Sequence, residues 1–450
     1  MKDFTLAEIA KACNGEYVGN ESLKNTKITS VERDSRQVNN GSLFLAIKGE
    51  RVDGHDFIEK CFAQGAVCAL CEKAPENATK PCIVVSSTLD AVKKIGRAYR
   101  EKFDIPVIGI SGSVGKTSTK EMLYAVLSQR FKTHKTQGNL NNELGVPLTL
   151  LSMPEDTEAA VIEMGISDFG EMTRLSEMVQ PTICVLTIIG ECHLENLGDR
   201  DGVLKAKTEM FKNACENADF ILNGDDDKLS TVKTVNGKKP VFFGLDAKND
   251  FYAKNIKNSG DGKVLATLCF DNNNIDVEIP AIGTYMVTNA LAAAAAGKLL
   301  GLTDEEIANG VASYKTVGSR ANVINTGKIK IIDDCYNANP TSVRASLDTL
   351  SNLDGRKVAI LGDMKELGSE ELKLHFDTGV YAKSKDIGTV ITVGELAKEL
   401  AKGADGKAFD TIEDAKSEIL KTIKSGDVVL VKASHSMQFE NIVEFLKQNF

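Results

Sequence analysis

The chain has 450 residues, of which 42% are hydrophobic and 26% charged, the mix of an ordinary soluble globular protein with about three domains. Its formal net charge of −9 argues against a nucleic-acid partner, which would favour a basic stripe. Asp3 and Glu8 argue against an N-terminal targeting segment, and the most apolar run, residues 290–302, contains Lys298 and is too short to span a bilayer. We therefore expect a cytoplasmic protein without stable membrane insertion.

The first block, residues 1–82, is predicted to form a small α/β domain in which short strands alternate with polar turns. Thr5 and Glu8 form a capping-box pattern that opens an amphipathic helix. Cys68 and Cys71 form a lone C-x-x-C pair, which is weak evidence for zinc without a second pair or nearby histidines. Since residues 66–70 have the composition of a buried strand, we favour reduced core thiols, which agree with a cytoplasmic location.

Residues 107–124 read VIGISGSVGKTSTKEMLY, a pattern of apolar strand, glycine-containing turn and helix. The run at residues 107–110 is typical of a buried strand. The helix is predicted over residues 117–131, with one apolar face formed by Met122, Leu123, Val126, Leu127 and Phe131. Gly112 and Gly115 let the backbone approach an anion closely. The loop N–H groups and the positive end of the helix would then bind phosphate.

This loop has the short pattern G-x-x-G-K-T, because Ile110 stands where the first glycine of G-x-x-x-x-G-K-[ST] would be. With a strand before it and a helix after it, we predict a nucleotide-binding loop rather than a plain strand-to-helix turn. Lys116 would reach the terminal phosphates, and the Thr117 hydroxyl would ligate Mg²⁺.

The second block, residues 83–314, alternates apolar strands with helix-length segments, which predicts a mostly parallel sheet covered on both faces. After the loop, strands are predicted at residues 159–163, 183–189 and 220–223, and an antiparallel extension or edge at residues 236–279. Ligands bind at the carboxyl ends of such strands, so Glu163 should lie near the phosphate loop, where a hard oxygen ligand suits Mg²⁺. A capping or salt-bridged glutamate is the alternative.

Two more polar groups follow in this block. His193 comes after the strand at residues 183–189 and could ligate a second metal or cap a turn. Lys205 and Lys207 lie on the next predicted helix, where two lysines usually form a solvated face. Spacing alone therefore favours no catalytic role for either lysine.

The third block, residues 315–450, repeats the α/β rhythm with strands predicted at residues 329–332, 358–361, 390–393 and 428–431. This pattern predicts a Rossmann-like domain that lacks the G-x-G-x-x-G fingerprint. The first strand runs into Asp333 and Asp334, a tyrosine and two asparagines, before Pro340 opens a helix. Turn chemistry explains the asparagines but hardly the two acids, so we expect a binding edge here.

Together these segments resemble the Mur ligase family, the ATP-dependent amide-forming enzymes of peptidoglycan precursor synthesis. The family markers in this chain are GSVGKT (112–117), EMG (163–165), CHL (192–194), AKTE (206–209), NALAA (289–293) and SR (319–320). Three segments resemble the branch of the family that adds D-alanyl-D-alanine to UDP-N-acetylmuramoyl-tripeptide. They are GNLNNELGVPL (138–148), DCYNANP (334–340) and GDMKELG (362–368), the last followed by His375. DSR (34–36) and DGHDF (53–57) also fit, so the similarity spans nearly the whole chain.

The resemblance implies a monomeric enzyme with an N-terminal UDP-sugar-binding domain, a central ATP-binding ligase domain and a C-terminal Rossmann-like domain. It also implies a mechanism in which the γ-phosphoryl group of ATP activates the tripeptide carboxylate as an acyl phosphate. The amine of D-alanyl-D-alanine then attacks the acyl phosphate and displaces phosphate. Two Mg²⁺ ions and a carbamylated Lys207 are expected to serve this reaction.

Residue roles are likewise carried over from the family. The catalytic set is Lys116, Glu163, His193 and Lys207, and the metal ligands are Thr117, Glu163, His193 and carbamylated Lys207. The expected ATP contacts are Gly112, Ser113, Val114, Gly115, Lys116, Thr117, Ser118, Asn289, Arg320, Asp334 and Tyr336. The expected substrate contacts are Ser35, Arg36, Asp53, His55, Asn139, Asn141, Asn142, Asn337 and Asn339. Because the ATP contacts come from two domains, we expect domain closure to assemble the site.

The chain departs from the family pattern at two places. Tyr285-Met286 replaces a His-Asn pair before Asn289, and the last residue of Lys432-Ala-Ser-His435 replaces an arginine. Histidine lacks the fixed bidentate donor of arginine, so a role of His435 in dipeptide binding stays open, as does the third residue of the tripeptide, lysine or diaminopimelate. Two other functions also stay open: a related ligase that adds a single amino acid, and a P-loop ATPase without ligase activity.

Overall fold

A computed structural model describes residues 1–49, 51–259 and 262–450. Three α/β units follow one another along the chain, each around its own sheet, and a small antiparallel sheet lies between the second and third. This architecture confirms the predicted fold class of three α/β domains with mostly parallel sheets.

The first unit is a five-stranded sheet of order β1-β5-β4-β3-β2, in which only β1 runs antiparallel to its neighbour. Its strands are β1 (Glu16–Val18), β2 (Ser30–Glu32), β3 (Ser42–Leu45), β4 (Cys68–Cys71) and β5 (Cys82–Val84), and its helices are α1 (Leu6–Cys13) and α2 (Ile58–Gln64). The Thr5–Glu8 capping box at the start of α1 is confirmed. The C-x-x-C pair lies in the fully buried strand β4, as its apolar neighbours predicted.

The second unit is a six-stranded, wholly parallel sheet of order β11-β10-β9-β6-β8-β7. Its strands are β6 (Val107–Ser111), β7 (Thr133–Lys135), β8 (Ala159–Glu163), β9 (Ile183–Leu186), β10 (Asp219–Asn223) and β11 (Val241–Phe243). Its helices are α3 (Thr88–Arg100), α4 (Lys116–Leu127), α5 (Gly145–Leu151), α6 (Glu171–Val179), α7 (Leu194–Leu197) and α8 (Arg200–Thr208).

Two predicted elements of this unit are shorter in the structure. The helix predicted to reach residue 131 ends at Leu127, so Phe131 lies beyond it. The chain then turns into β7, where the Lys132 N–H donates to the Glu158 carboxylate (2.8 Å). The strand predicted over residues 183–189 ends at Leu186, because the next residues bond the phosphate loop instead of a neighbouring strand. The Ser113 N–H donates to the Ile188 carbonyl (2.7 Å).

A three-stranded antiparallel sheet and two helices complete the middle of the chain. They are β12 (Tyr252–Ser259), β13 (Lys263–Phe270), β14 (Asn273–Ile279), α9 (Tyr285–Leu299) and α10 (Asp304–Ala312). The predicted antiparallel extension over residues 236–279, of which residues 260 and 261 lie outside the described residues, is thus a separate sheet. Its early part instead supplies β11, a parallel edge strand of the main sheet.

The third unit is a six-stranded sheet of order β15-β16-β20-β17-β18-β19 in which only β15 is antiparallel. Its strands are β15 (Asn322–Asn325), β16 (Lys330–Asp333), β17 (Arg356–Gly362), β18 (Thr389–Val393), β19 (Lys407–Phe409) and β20 (Asp427–Lys432). Its helices are α11 (Pro340–Ser351), α12 (Glu371–Ser384), α13 (Ala397–Ala404), α14 (Ile412–Thr422) and α15 (Glu440–Asn449). Pro340 opens α11, as predicted.

Short 3-10 turns join several of these elements, at Glu21–Leu23, Gly54–Phe57, Glu209–Asn213, Leu229–Thr231, Gly368–Glu370 and His435–Met437. Within the described part of the chain, no helix combines the length and the apolar character that crossing a membrane requires.

Candidate active site

A cavity of about 430 Å³ lies between the second and third units. Loops at the carboxyl ends of β6, β8, β9 and β10 form one wall, and the ends of β16 and β20 with the start of α11 form the other. Because parallel strands expose backbone and side-chain groups at their carboxyl ends, this is where such a sheet binds a ligand.

The phosphate loop runs from the end of β6 into α4. Gly112 and Gly115 have φ values of +149° and +85°, a backbone region that favours glycine. A side chain at Gly112 would also collide with Thr187, whose hydroxyl oxygen would lie 1.9 Å from the added Cβ. The Lys116 ammonium donates to the Gly112 carbonyl (2.7 Å), so this lysine is folded over the loop. Burial lowers its pKa below the usual lysine value, which reflects the loss of water around the charge.

Glu163, the last residue of β8, faces this loop. Its carboxylate is 1% exposed and accepts the Thr117 hydroxyl at 3.1 and 2.9 Å and the Asn141 amide at 2.8 Å. The strand-end position therefore brings Glu163 to the phosphate loop, as the parallel sheet predicted. The Thr117 hydroxyl and the Glu163 carboxylate are therefore in contact at the first turn of α4.

Lys207 projects inward from α8, contrary to the solvated face that lysine spacing favours. It is 1% exposed, and among the residues that the structure describes it makes no hydrogen bond or ion pair. Burial lowers its pKa to about 8; Cys192 opposes this shift and the nearby Lys116 ammonium adds to it. A substantial fraction of this amine is therefore neutral near physiological pH.

His193 and Glu191 connect the two walls of the cavity. His193 Nδ1 lies 2.7 Å from a Glu366 carboxylate oxygen, and this histidine lowers the pKa of Glu366. The Glu191 carboxylate accepts the Thr341 hydroxyl (2.6 Å) and lies 4.0 Å from Arg344. The segment after β9 thus contacts the third unit through the Glu191 carboxylate and the His193 imidazole.

Asp334 anchors the wall of the third unit. Its carboxylate accepts the Lys432 ammonium and the Ser346 hydroxyl, both at 2.6 Å, and the Ala321 N–H at 3.1 Å. The Arg320 guanidinium lies 3.8 Å from the centre of the Tyr336 ring, a cation–π distance. Asp334, Arg320 and Tyr336 all line the cavity opposite the phosphate loop.

Comparison with known proteins agrees with this geometry. Three family descriptions match consecutive parts of the chain: "Mur ligase family, catalytic domain" over residues 27–111, "Mur ligase middle domain" over residues 110–297, and "Mur ligase, glutamate ligase domain" over residues 319–435. A UDP-N-acetylmuramoyl-tripeptide–D-alanyl-D-alanine ligase of Bacillus subtilis (strain 168) is 37% identical and covers 98% of each chain. The chain belongs to the Mur ligase family.

Solved structures of this family agree. The crystal structure of MurF from Acinetobacter baumannii is 32% identical, has a TM-score of 0.91, and covers 100% of this chain and 99% of its own. MurF from Thermotoga maritima in complex with ADP is 30% identical, has a TM-score of 0.84, and covers 93% of this chain and 97% of its own. The resemblance predicted from the sequence motifs is therefore confirmed at the level of the family.

Asn289, one of the expected ATP contacts, already makes contacts within the protein. Asn289 lines the cavity, but its amide oxygen accepts the Thr119 hydroxyl (3.0 Å) and its amide nitrogen lies 3.4 Å from the Met286 sulfur. The lining residues that were not predicted include Asn223, Asp225, Phe243, Leu245, Tyr285 and Thr288. The polar NGDD run (223–226) starts at the last residue of β10, the same strand-end pattern as Asp333–Asp334, and could have indicated Asn223 and Asp225.

The asparagines expected at the substrate cleft divide into two groups. Asn141, Asn142, Asn337 and Asn339 line the cavity, whereas Asn139 does not. Asn142 accepts the Gly145 N–H (2.8 Å) at the start of α5, and Asn339 caps α11 through the Ser342 N–H (2.8 Å). Turn and cap chemistry therefore explains two of these side chains as they stand.

The four N-terminal candidates lie apart from this cavity. Arg36 is exposed and pairs with Asp34 (2.6 Å), two residues away, and Ser35 lies between them. His55 uses both ring nitrogens internally: Nδ1 lies 2.7 Å from Asp53, and Nε2 accepts the Glu72 N–H (2.9 Å). The structure therefore places the adjacent Ser35 and Arg36, and the hydrogen-bonded Asp53 and His55, away from the cavity at the phosphate loop.

Proposed function

We propose that this chain is an ATP-dependent ligase that adds D-alanyl-D-alanine to UDP-N-acetylmuramoyl-tripeptide. The observation that carries the proposal is that Lys116 and Glu163 line one cavity at the phosphate loop, while the buried Lys207 lies close enough to Lys116 to feel its charge. Relatives at 30–37% identity over nearly the full chain bear this activity in their names, and one related structure contains ADP.

The reaction requires that a carboxylate be made electrophilic. An oxygen of the tripeptide's terminal carboxylate attacks the γ-phosphorus of ATP, the bond to the β-phosphate oxygen breaks, and ADP leaves. The D-alanyl-D-alanine amine then attacks the acyl carbon and loses a proton, and phosphate departs from the tetrahedral intermediate. Lys116 offsets the repulsion between the triphosphate and the incoming carboxylate. Arg320 faces the same cavity from the third unit and adds a second positive charge.

The residues beside the phosphate loop fit Mg²⁺. The Thr117 hydroxyl and the Glu163 carboxylate are hard oxygen donors within 3.1 Å of each other, the chemistry that Mg²⁺ prefers. His193 is the proposed ligand of a second ion, which its Nε2 would bind while Nδ1 stays against Glu366, the way a carboxylate orients a metal-binding histidine. Bound at these residues, Mg²⁺ would supply positive charge against the phosphate oxygens.

Lys207 fits the proposed carbamate. A neutral amine adds CO₂ and releases a proton, and burial without a partner favours the neutral amine by lowering its pKa to about 8. The product replaces a positive charge with a negative one and provides two oxygens that could bind a cation. No acidic partner among the described residues would compete for this side chain.

The remaining assignments belong to the same proposal. Residues 1–82 form the UDP-sugar-binding domain, where Ser35, Arg36, Asp53 and His55 contact the nucleotide-sugar part of the substrate. Residues 83–314 form the ATP-binding ligase domain, and residues 315–450 the closing Rossmann-like domain. The protein acts as a cytoplasmic monomer.

The test is an assay of purified protein with ATP, Mg²⁺, UDP-N-acetylmuramoyl-tripeptide and D-alanyl-D-alanine. We expect phosphate release that requires both substrates, with one pentapeptide product formed per phosphate. Single amino acids in place of the dipeptide should give no product; product with one of them would instead identify a different ligase of the superfamily. Phosphate release without either substrate and without amide formation would contradict the proposal and indicate a simple ATPase.

A further inference from the structure

A buried lysine outside the proposed reaction lies behind Glu163. Lys120 is 1% exposed, although lysine is almost never fully buried unless it is paired. Its ammonium lies 3.2 Å from a Glu121 oxygen and 3.6 Å from a Glu163 oxygen. This lysine does not line the cavity, so it reaches Glu163 from the side away from any bound nucleotide.

Lys120 belongs to a short chain of alternating charges. Glu121, 7% exposed, places its other oxygen against the ammonium of Lys135. Lys135 is partly exposed and also lies 4.0 Å from the centre of the Tyr124 ring. The order is thus Lys135, Glu121, Lys120 and Glu163, with two positive and two negative charges.

Helix geometry explains how one element supplies this arrangement. Thr117, Lys120 and Glu121 are separated by three and four positions on α4, so they share one face of the helix. That face packs against β8, which ends in Glu163. The Glu163 carboxylate is therefore contacted by Thr117 and Lys120 from α4 and by the Asn141 amide from the loop before α5.

A buried ion pair needs a reason, because apolar residues of similar volume often stabilise a fold as well or better. Here Lys120 compensates the charge of Glu163 from the side away from the cavity, so the Glu163 carboxylate can face the phosphate loop. Without Lys120, Glu121 and Glu163 would be neighbouring buried carboxylates, and the remaining cation of this network, Lys135, would contact Glu121 and not Glu163. Glu163 would then turn away from the second buried carboxylate, which removes an anionic oxygen from the phosphate loop.

We propose that Lys120 is a positioning residue that holds the Glu163 carboxylate towards the phosphate loop and thereby sets the affinity for the magnesium–nucleotide complex. The part of this inference that concerns magnesium rests on the proposed function. Lys120 acts through Glu163 and contacts neither ATP nor the peptide substrates.

Four variants separate positioning from general stability. Lys120→Met removes the charge, and Lys120→Arg keeps it. Lys120→Met/Glu121→Gln removes one positive and one negative charge, so the buried network stays neutral while Glu163 loses its contact. Lys135→Met is the matched control, since it removes a lysine from the same network at the far end from Glu163.

The measurement is the Kd of a non-hydrolysable ATP analogue with and without Mg²⁺, together with the Tm of each variant. We expect Lys120→Met to weaken binding with Mg²⁺ by about tenfold and binding without Mg²⁺ by less than about twofold. The neutral double variant should show the same tenfold loss of affinity with Mg²⁺, and it tests the inference if Lys120→Met alone fails to fold. Lys120→Arg should recover to within about threefold, and Lys135→Met should bind like the wild type.

Two results would overturn the inference: wild-type magnesium-dependent affinity in the neutral double variant, or an equal loss in Lys135→Met. Because the readout is nucleotide binding, it does not depend on amide formation. A wild-type protein that binds magnesium–nucleotide but makes no pentapeptide would contradict the proposed function and leave the role of Lys120 to be judged by these affinities alone.

Discussion

The residues around the phosphate loop and the candidates in the first unit are held in opposite ways. Around the loop, hydrogen bonds join residues far apart in the sequence, such as Thr117 with Glu163 and Thr119 with Asn289, and the groups are buried. In the first unit, Arg36 bonds Asp34 and His55 bonds Asp53, each two positions away and near the surface. Tertiary contacts therefore arrange the central site, whereas local turns mainly place the N-terminal candidates, and the bond from the Glu72 N–H to His55 adds one contact at longer range.

The largest expected effect comes from the centre of the arranged site. Lys116→Ala should lower the rate of pentapeptide formation by at least about 10²–10³-fold, because it removes the cation that offsets charge gathering in the transition state. The exposed Lys132→Ala in the same unit is the control and should retain wild-type turnover. Unchanged product yield in Lys116→Ala would remove the basis for the proposed function.

The next effect tests the buried lysine of α8. Lys207→Ala should lower kcat by about 10²-fold, with partial recovery in the presence of a small carboxylate such as formate, because that anion can replace the proposed carbamate oxygens. Lys205→Ala, on the exposed face of the same helix, should change kcat by less than about twofold. Wild-type activity in Lys207→Ala would refute the role of this amine.

The contact between the second and third units should give a smaller effect. Thr341→Val keeps the shape of the side chain but removes the hydroxyl that donates to Glu191, a loss of about 1 kcal/mol. We expect the KM for ATP to rise about fivefold with little change in Tm. Small-angle scattering with an ATP analogue and tripeptide substrate should report a more open average shape than for the wild type, and identical profiles would count against a role in closure.

The smallest effect is expected in the first unit. Arg36→Ala should raise the KM for the UDP-linked substrate by about threefold and leave kcat unchanged, since an exposed, locally held side chain contributes modest binding energy. The neighbouring exposed Arg33→Ala is its control. A loss of kcat as large as that of Lys116→Ala would contradict the difference between the two regions, because it would mean that Arg36 takes part in catalysis rather than in substrate binding.

Much of the central unit could be predicted from local patterns. The glycines and Lys116 between an apolar strand and a helix predict the phosphate loop, and strand-helix alternation predicts the parallel sheet whose edge holds Glu163. Lys120 and Glu121 gave no such signal, because charged residues on a helix are ordinarily solvated. They are buried because their face of α4 packs against β7 and β8, whose Lys135 and Glu163 are their partners.

The sequence by itself determined the elements, the phosphate loop and the family, since these depend on periodicity, turn chemistry and motifs within short segments. Only the tertiary structure decided which charges become buried partners, that Lys207 faces inward without a partner among the described residues, and that Glu191 meets Thr341 across 150 positions of sequence. The physical reason is that the environment of a side chain is set by the elements packed against it, and local sequence does not specify those elements.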